Sequence, residues 1–238
     1  MHKPGRTHSR ILDLLYPPVC PFCGRIERKG ICAVCRKKIV YIDEPRCMKC
    51  GKPLETEEEE YCSDCLRHTL SYAQGRSLWV HKEPVSTAIY QFKYHNKRVY
   101  ADVFGEELAK RYGRQIENWK IEEILPIPLH SSRQRRRGFN QAELVARKLG
   151  EYMEIPVNAG ALRRVRKTMP QKLLSDSERR ENIQRAFGVE KTWKPKRNVL
   201  LIDDIYTTGN TIHAAAKILK KAGAQNVYFL TISIGQGL

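Results

Sequence analysis

In the last third of the chain a short apolar run, Val199 to Ile202, leads into Asp203 and Asp204 and then into Thr207-Thr208-Gly209-Asn210-Thr211, with Tyr206 just before this loop. Two carboxylates at the end of a strand can accept hydrogen bonds from a pair of sugar hydroxyls. The loop behind them offers backbone N–H groups and hydroxyls at the start of a helix, where the helix dipole favours a phosphate dianion. Gly209 lets the backbone approach such a ligand closely. Together the two halves suit a ribose phosphate, with Asp203 and Asp204 on the sugar and Tyr206 to Thr211 around the phosphate. A plain strand-to-helix turn would need only one Asp or Thr as its cap.

A second group of chemically competent residues lies at the other end. All eight cysteines occur by position 65, and each belongs to a C-x-x-C pair: Cys20/Cys23, Cys32/Cys35, Cys47/Cys50 and Cys62/Cys65. A C-x-x-C turn brings two sulfurs to one side of a tight loop, so two turns supply the four thiolates of a tetrahedral Zn²⁺ site. Gly24 and Gly51 follow the first and third pairs, where the chain must fold back. The first two pairs recur 27 and 30 residues later, which reads as one unit duplicated with a three-residue insertion. Sequential ribbons, Cys20/Cys23/Cys32/Cys35 and Cys47/Cys50/Cys62/Cys65, follow most simply. A cross-braced exchange of the second and third pairs is the alternative. Disulfides, a redox C-x-x-C and an iron–sulfur cluster fit this tandem spacing less well than two structural zinc ions.

The elements that must hold these groups can be read from periodicity. Ser77 to Val80 predicts a strand, Val85 to Phe92 a short helix, and Val99 to Tyr112 a longer helix. Ile124 to Pro128 predicts a strand whose prolines place it at an edge or a strand end. Asn140 with Glu143 predicts a capping box that opens a helix through Leu149, closed by Gly150. Val199 to Ile202, a helix from Thr211 to Ala222, Gly223 and Val227 to Ile234 make a strand–helix–strand crossover. This alternation predicts an α/β domain with a largely parallel sheet. Residues 1–70 are then a double zinc ribbon and 71–238 the larger domain. With periodic elements of its own, that domain is expected to keep most of its secondary structure when the ribbon metals are removed.

Composition narrows the functional classes. The chain has 238 residues, 41% of them hydrophobic, so a buried core can form and wholesale disorder is excluded. Its apolar runs are far shorter than the ~20 residues a membrane helix needs. The opening MHKPGRTHSR leads only to Ile-Leu-Asp-Leu-Leu, too short and interrupted for a signal peptide, so a cytoplasmic location without membrane insertion is expected. Net charge is +17, divided as +3 up to residue 70 and +14 beyond it. Eight thiolates and two zinc dications would add about −4 to the first part, leaving it near neutral. The cationic excess therefore belongs to the larger domain and points to a phosphorylated or polyanionic ligand there.

The stretch VLLIDDIYTTGNT resembles the phosphoribosyl pyrophosphate (PRPP) motif of type I phosphoribosyltransferases, and the chain from Cys20 to its last strand resembles the ComF/ComFC family of competence-associated proteins. The resemblance extends to RGFNQAEL at Arg137 to Leu144, to Gln171, and to ERRENIQRAF at Glu178 to Phe187. It implies that Asp203 and Asp204, the catalytic pair, contact the ribose 2′ and 3′ hydroxyls. Tyr206, Thr207, Thr208, Gly209, Asn210 and Thr211 would hold the 5′-phosphate, and Mg²⁺ would accompany PRPP. The loop after the Ile124–Pro128 strand would be the pyrophosphate loop, and Arg163 to Asn182 would include the catalytic flap. In relatives with known substrates a hood subdomain caps the pocket, a place the zinc module is expected to take.

From Arg133 to Arg197 there are 18 basic and 7 acidic residues. This is more than a pyrophosphate site needs. Arg133, Arg135, Arg136 and Arg137 are thus candidate nucleic-acid contacts, with Phe139 and Tyr206 as candidate stacking residues, although a Phe beside arginines is more often core. Two functions of different class follow. In the first, a DNA-uptake factor uses a PRPP-type pocket and a basic surface to handle single-stranded DNA during transformation, working with other competence proteins such as a helicase or DNA-processing factors. In the second, an active phosphoribosyltransferase releases pyrophosphate from PRPP in nucleotide salvage or another phosphoribosylation. RNA binding through the ribbons is a third and weaker reading.

Overall fold

The computed structural model describes residues 17–165 and 186–235. Residues 166–182 of the expected flap, together with Gln171 and most of Glu178–Phe187, lie outside the described residues. Four strands form one all-parallel sheet in the order β1-β6-β5-β2: β1 is Gln74–Val80, β2 Glu123–Pro126, β5 Asn198–Tyr206 and β6 Asn226–Ile234. The apolar run around Val199 lies at the centre because both faces are covered. Leu200 and Ile202 pack to one side, and Val199 and Leu201 to the other. β2 is an edge strand, as its prolines predict, and its open side is bridged at Ile124 to Val157.

Helices α3 (Val85–Tyr94), α4 (Tyr100–Asn118) and α6 (Gln141–Met153) supply the first face, contributing Phe92, Phe104, Leu108, Val145 and Leu149. Helix α7 (Asn210–Lys221) covers the second with Ile212, Ala215 and Leu219, next to the antiparallel pair β3 (Leu162–Arg164) and β4 (Phe187–Val189). Helix α5 (Ser131–Arg137) links β2 to α6. Both β1 and α4 exceed their predicted spans, since burial continues past the apolar residues that periodicity picks out.

Helix α6 departs from its predicted ends. Asn140 does cap it, accepting from the Ala142 amide at 3.2 Å. Glu143 turns away from the cap to bond Arg147 at 2.7 Å, so the capping box is half-formed. Gly150 lies inside the helix, which runs on to Met153. A Cβ there would come within 2.7 Å of the Ile155 carbonyl as the chain folds back, and this close approach is the reason for the glycine.

The ribbons adopt the sequential pairing. Each of the sets Cys20/Cys23/Cys32/Cys35 and Cys47/Cys50/Cys62/Cys65 has its sulfurs within 4.8 Å of one another. Gly24 and Gly51 follow their turns with φ of +72° and +75°, and their amides bond the Cys20 and Cys47 carbonyls. The second pair of each ribbon opens a short helix, α1 (Ala33–Arg36) or α2 (Ser63–Arg67), with Cys32 or Cys62 at its N-cap.

The ribbons do not pack as isolated knots but share their apolar cores with the larger domain. Cys20, Cys32 and Cys35 share one apolar cluster with Trp79, Phe92 and Phe104, whereas Cys47, Cys50 and Cys62 share the other with Tyr72, Tyr206 and Phe229. Each ribbon thus closes one face of the sheet. A ribbon is too small for a core of its own and borrows one. The first is further tied down by Arg36, which donates to both oxygens of the buried Glu107 on α4 at 3.0 and 3.2 Å, and by the Tyr41 hydroxyl, which donates to the same carboxylate at 2.9 Å.

Candidate functional site

The site forms at the carboxyl end of the sheet, where β5 delivers Asp203 and Asp204 beside Thr231 and Ser233 of β6. The Asp203 carboxylate accepts from the Asp204 amide at 2.8 Å. Burial, and then the charge of Asp204, push the Asp203 carboxyl up to about 7 against the opposing pull of that amide, Lys93 and Arg164. Asp204 pairs with Lys93 of α3 at 3.0 Å, and each side chain is only 15% exposed. His81, just beyond β1, shares a hydrogen bond between Nδ1 and Ser233 Oγ at 2.9 Å. Burial, then Lys93, lowers its pKa. The acids therefore sit in a fixed, partly dry frame drawn from four separate segments.

The loop after β5 exposes Thr207 and Thr208 and buries Gly209, which N-caps α7 with φ of +75°. The first amides of a helix have no partner within it, and a glycine cap brings no side chain to satisfy them. Beneath the loop lies the buried Tyr206 ring. A Cβ on Gly209 would fall within 2.8 Å of Tyr206 Cζ and nearer still to its oxygen, so Gly209 is demanded from below as well as by its φ. The Tyr206 side chain forms the loop's floor, stacked on Phe229 at 4.9 Å and bonded to the Tyr72 hydroxyl at 2.7 Å. Burial raises both phenols well above their ordinary range.

The second ribbon abuts the same loop. A cavity of 180 Å³ lies between Arg67, His68 and Leu70 on one side and Thr208, Asn210 and His213 on the other. His213 Nδ1 accepts from the Ser71 amide at 3.0 Å, pinning the ribbon's exit to the first turns of α7.

The four arginines separate in role. Arg133, Arg135 and Arg136 are exposed on α5. Arg137 is half-buried, donating to Gln141 Oε1 and to the Tyr94 hydroxyl, each at 2.9 Å. Burial, and then the charge of Arg133, lowers the pKa of Arg164. Phe139 packs against Phe92 in the core, and Tyr206 is the loop's floor. Neither side chain is free to stack on a base, a correction to the sequence reading. Lys93 and His81 escape the sequence reading, because only the fold brings their segments to β5, whereas Arg164 falls within the basic stretch and the expected flap.

Both cysteine sets fit structural zinc: four sulfurs converge in each, most of them buried. No helix among the described residues is long and apolar enough to cross a membrane. Two family models match the chain, a double zinc ribbon domain over residues 11–66 and a phosphoribosyl transferase domain over residues 135–233. Competence protein F of Haemophilus influenzae is 34% identical over 209 residues, covering 85% of this chain and 89% of that protein. DNA utilization protein YhgH of Escherichia coli K12 is 28% identical over 220 residues, covering 90% and 96%. Competence protein ComFC of Bacillus subtilis is 28% identical over 210 residues, covering 85% and 83%. A double ribbon closing a phosphoribosyltransferase-type sheet, and similarity running through both parts, place this chain in the family of Competence protein F and ComFC.

Proposed function

We propose that this is a cytoplasmic DNA-uptake factor whose larger domain, residues 71–238, binds PRPP or ribose 5-phosphate at Asp203–Thr211 and handles single-stranded DNA on its basic surface. The observation that carries the reading is the pair of partly buried acids on β5 running directly into the glycine-capped start of α7. In this reading Asp203 and Asp204 accept from the ribose hydroxyls, while the amides and hydroxyls of Thr207–Thr211 take the 5′-phosphate. Mg²⁺ would neutralise the diphosphate of PRPP. Exposed Arg133, Arg135 and Arg136 supply the phosphate contacts for a strand, and the names of the relatives support a role in DNA use. Titration calorimetry tests the pocket. PRPP should bind more tightly with Mg²⁺, and Asp204→Asn should weaken it at least severalfold; equal heats in both proteins would refute the site.

A second reading, an active phosphoribosyltransferase, is favoured by one feature. Asp203 is held near 7, where a carboxyl can exchange a proton at physiological pH. Pyrophosphate release from PRPP across a panel of bases separates the two.

A further inference from the structure

Helix α3 buries Val85, Ala88, Ile89 and Phe92 and turns two aromatic rings outward. Tyr90 is 57% and Tyr94 48% exposed, one helical turn apart, with ring centroids 5.0 Å apart at 45°. Single exposed aromatics are ordinary, but these two stand over two adjoining open grooves. One, of 430 Å³, runs from His81 and Ser86 past Tyr90. The other, of 470 Å³, is lined by Asn96, Arg136 and Arg137. Lys93 and Tyr94 line both, and Lys93 is the residue bonded to Asp204.

Tyr94 is also held in place. The Arg137 guanidinium lies 4.8 Å from its ring centroid and donates to its hydroxyl, while its other arm bonds the fully buried Gln141. A ring so fixed has little rotamer entropy left to lose on binding. The surroundings are cationic, with Arg136 exposed at one end and Lys93 between the grooves. Glu83, the single acid lining them, accepts from the Ser86 hydroxyl at the far end. Exposed rings interleaved with cations along a groove are the physical requirement for single-stranded nucleic acid, in which bases stack and phosphates pair.

We propose that Tyr90 and Tyr94 form a base-stacking platform for single-stranded nucleic acid, positioned by Arg137 and bordered by Arg136 and by Lys93, the partner of Asp204. The assignment rests on the strand-handling part of the proposed function. It gives the stacking role to α3, and it makes Arg137 a positioning residue for Tyr94.

The test compares fluorescence anisotropy of a labelled oligothymidylate of about a dozen nucleotides with that of an abasic strand of equal length, using the full chain. The wild type should favour the base-bearing strand about tenfold. Tyr90→Leu/Tyr94→Leu should abolish that preference, leave the abasic affinity and its salt dependence unchanged, and keep PRPP binding as a check on the fold. Tyr94→Phe, which retains the ring, should retain the preference. Equal wild-type affinity for both strands, or undiminished discrimination in the double Leu variant, overturns the platform while strand binding stands. Absence of binding by either strand would overturn strand handling itself. Tight binding of free thymidine at the same rings would assign them to a small nucleoside instead of a strand.

Discussion

The hydroxyls of Tyr72 and Tyr206 lie 2.7 Å apart in the core, joining the segment that leaves the second ribbon to the floor of the phosphate loop. Both rings also pack on Phe229 at 4.9 Å. The bond matters chiefly through what its loss leaves behind. A buried hydroxyl without a partner costs about 1–3 kcal/mol, more than the bond's own net contribution. Tyr72→Phe should therefore destabilise the chain by about 1–2 kcal/mol in urea denaturation. The double variant Tyr72→Phe/Tyr206→Phe should lose clearly less than the two singles together. Strict additivity would mean that the hydroxyls find other partners.

Zinc removal should be felt across the whole protein. Because Cys20, Cys32 and Cys35 pack with Trp79, and Cys47, Cys50 and Cys62 with Tyr206, the two cysteine sites lie against the two faces of one sheet. Metal analysis should return two zinc ions per chain, and a strong chelator should abolish the near-ultraviolet dichroism of the buried aromatics along with the ribbon signal. The sites should differ in one respect. Cys62→Ser, on the ribbon beside the loop, should weaken sugar-phosphate binding more than Cys32→Ser does. Native near-ultraviolet dichroism after full metal removal would show that the sheet does not need the ribbons.

The contrast between what the sequence revealed and what it hid has a physical basis. Asp203, Asp204 and the Gly209 loop are contiguous, so strand, acids and helix start could be read in one pass, and the repeat spacing of the cysteines gave the ribbon pairing in the same way. The partners of those acids could not be read so. Lys93 reaches Asp204 only because α3 packs along the sheet, and Arg164 arrives from a separate strand pair. Stacking residues went astray for a related reason. Phe139 and Tyr206 were chosen by neighbourhood in the chain, whereas exposure depends on which face an element turns outward, and on α3 that face carries Tyr90 and Tyr94. The ribbons looked separable because a zinc site needs only local spacing. Their apolar residues Ile31, Ile39 and Ile42 gave no sign that they complete a neighbour's core.

Asp203 predicts a particular pH dependence of stability. Its pKa rises from an ordinary 3.8 to about 7 on folding, so the folded state holds this proton more tightly than the unfolded chain does. Stability from this group is full below about 4 and is lost as pH rises through 7, reaching a plateau near 8. Asp203→Asn cannot ionise and escapes the loss. Its melting temperature relative to wild type should climb between pH 5 and 7.5 and then level off, even as ribose binding weakens. A constant difference across that range would show that Asp203 keeps an ordinary pKa.

The Lys93–Asp204 pair makes the last prediction, and its energy follows from its exposure. At 15% exposure on each side it is neither a surface pair, worth under about 1 kcal/mol, nor a fully buried one, whose breakage costs about 3–5 kcal/mol. Lys93→Met keeps the apolar stem and removes the charge, so it should cost an intermediate amount, about 1–3 kcal/mol near neutral pH. Removing the cation also removes one of the influences that hold the Asp203 pKa down, so the stability loss at Asp203 should move to higher pH in this variant. Asp204→Asn made in the Lys93→Met background should cost less than it does in wild type, since no paired charge remains to be broken. A double-mutant cycle measured by urea denaturation at pH 7.5 reads this directly. Coupling below about 0.3 kcal/mol would mean that the two side chains act independently, and that Asp204 is held by the sheet alone.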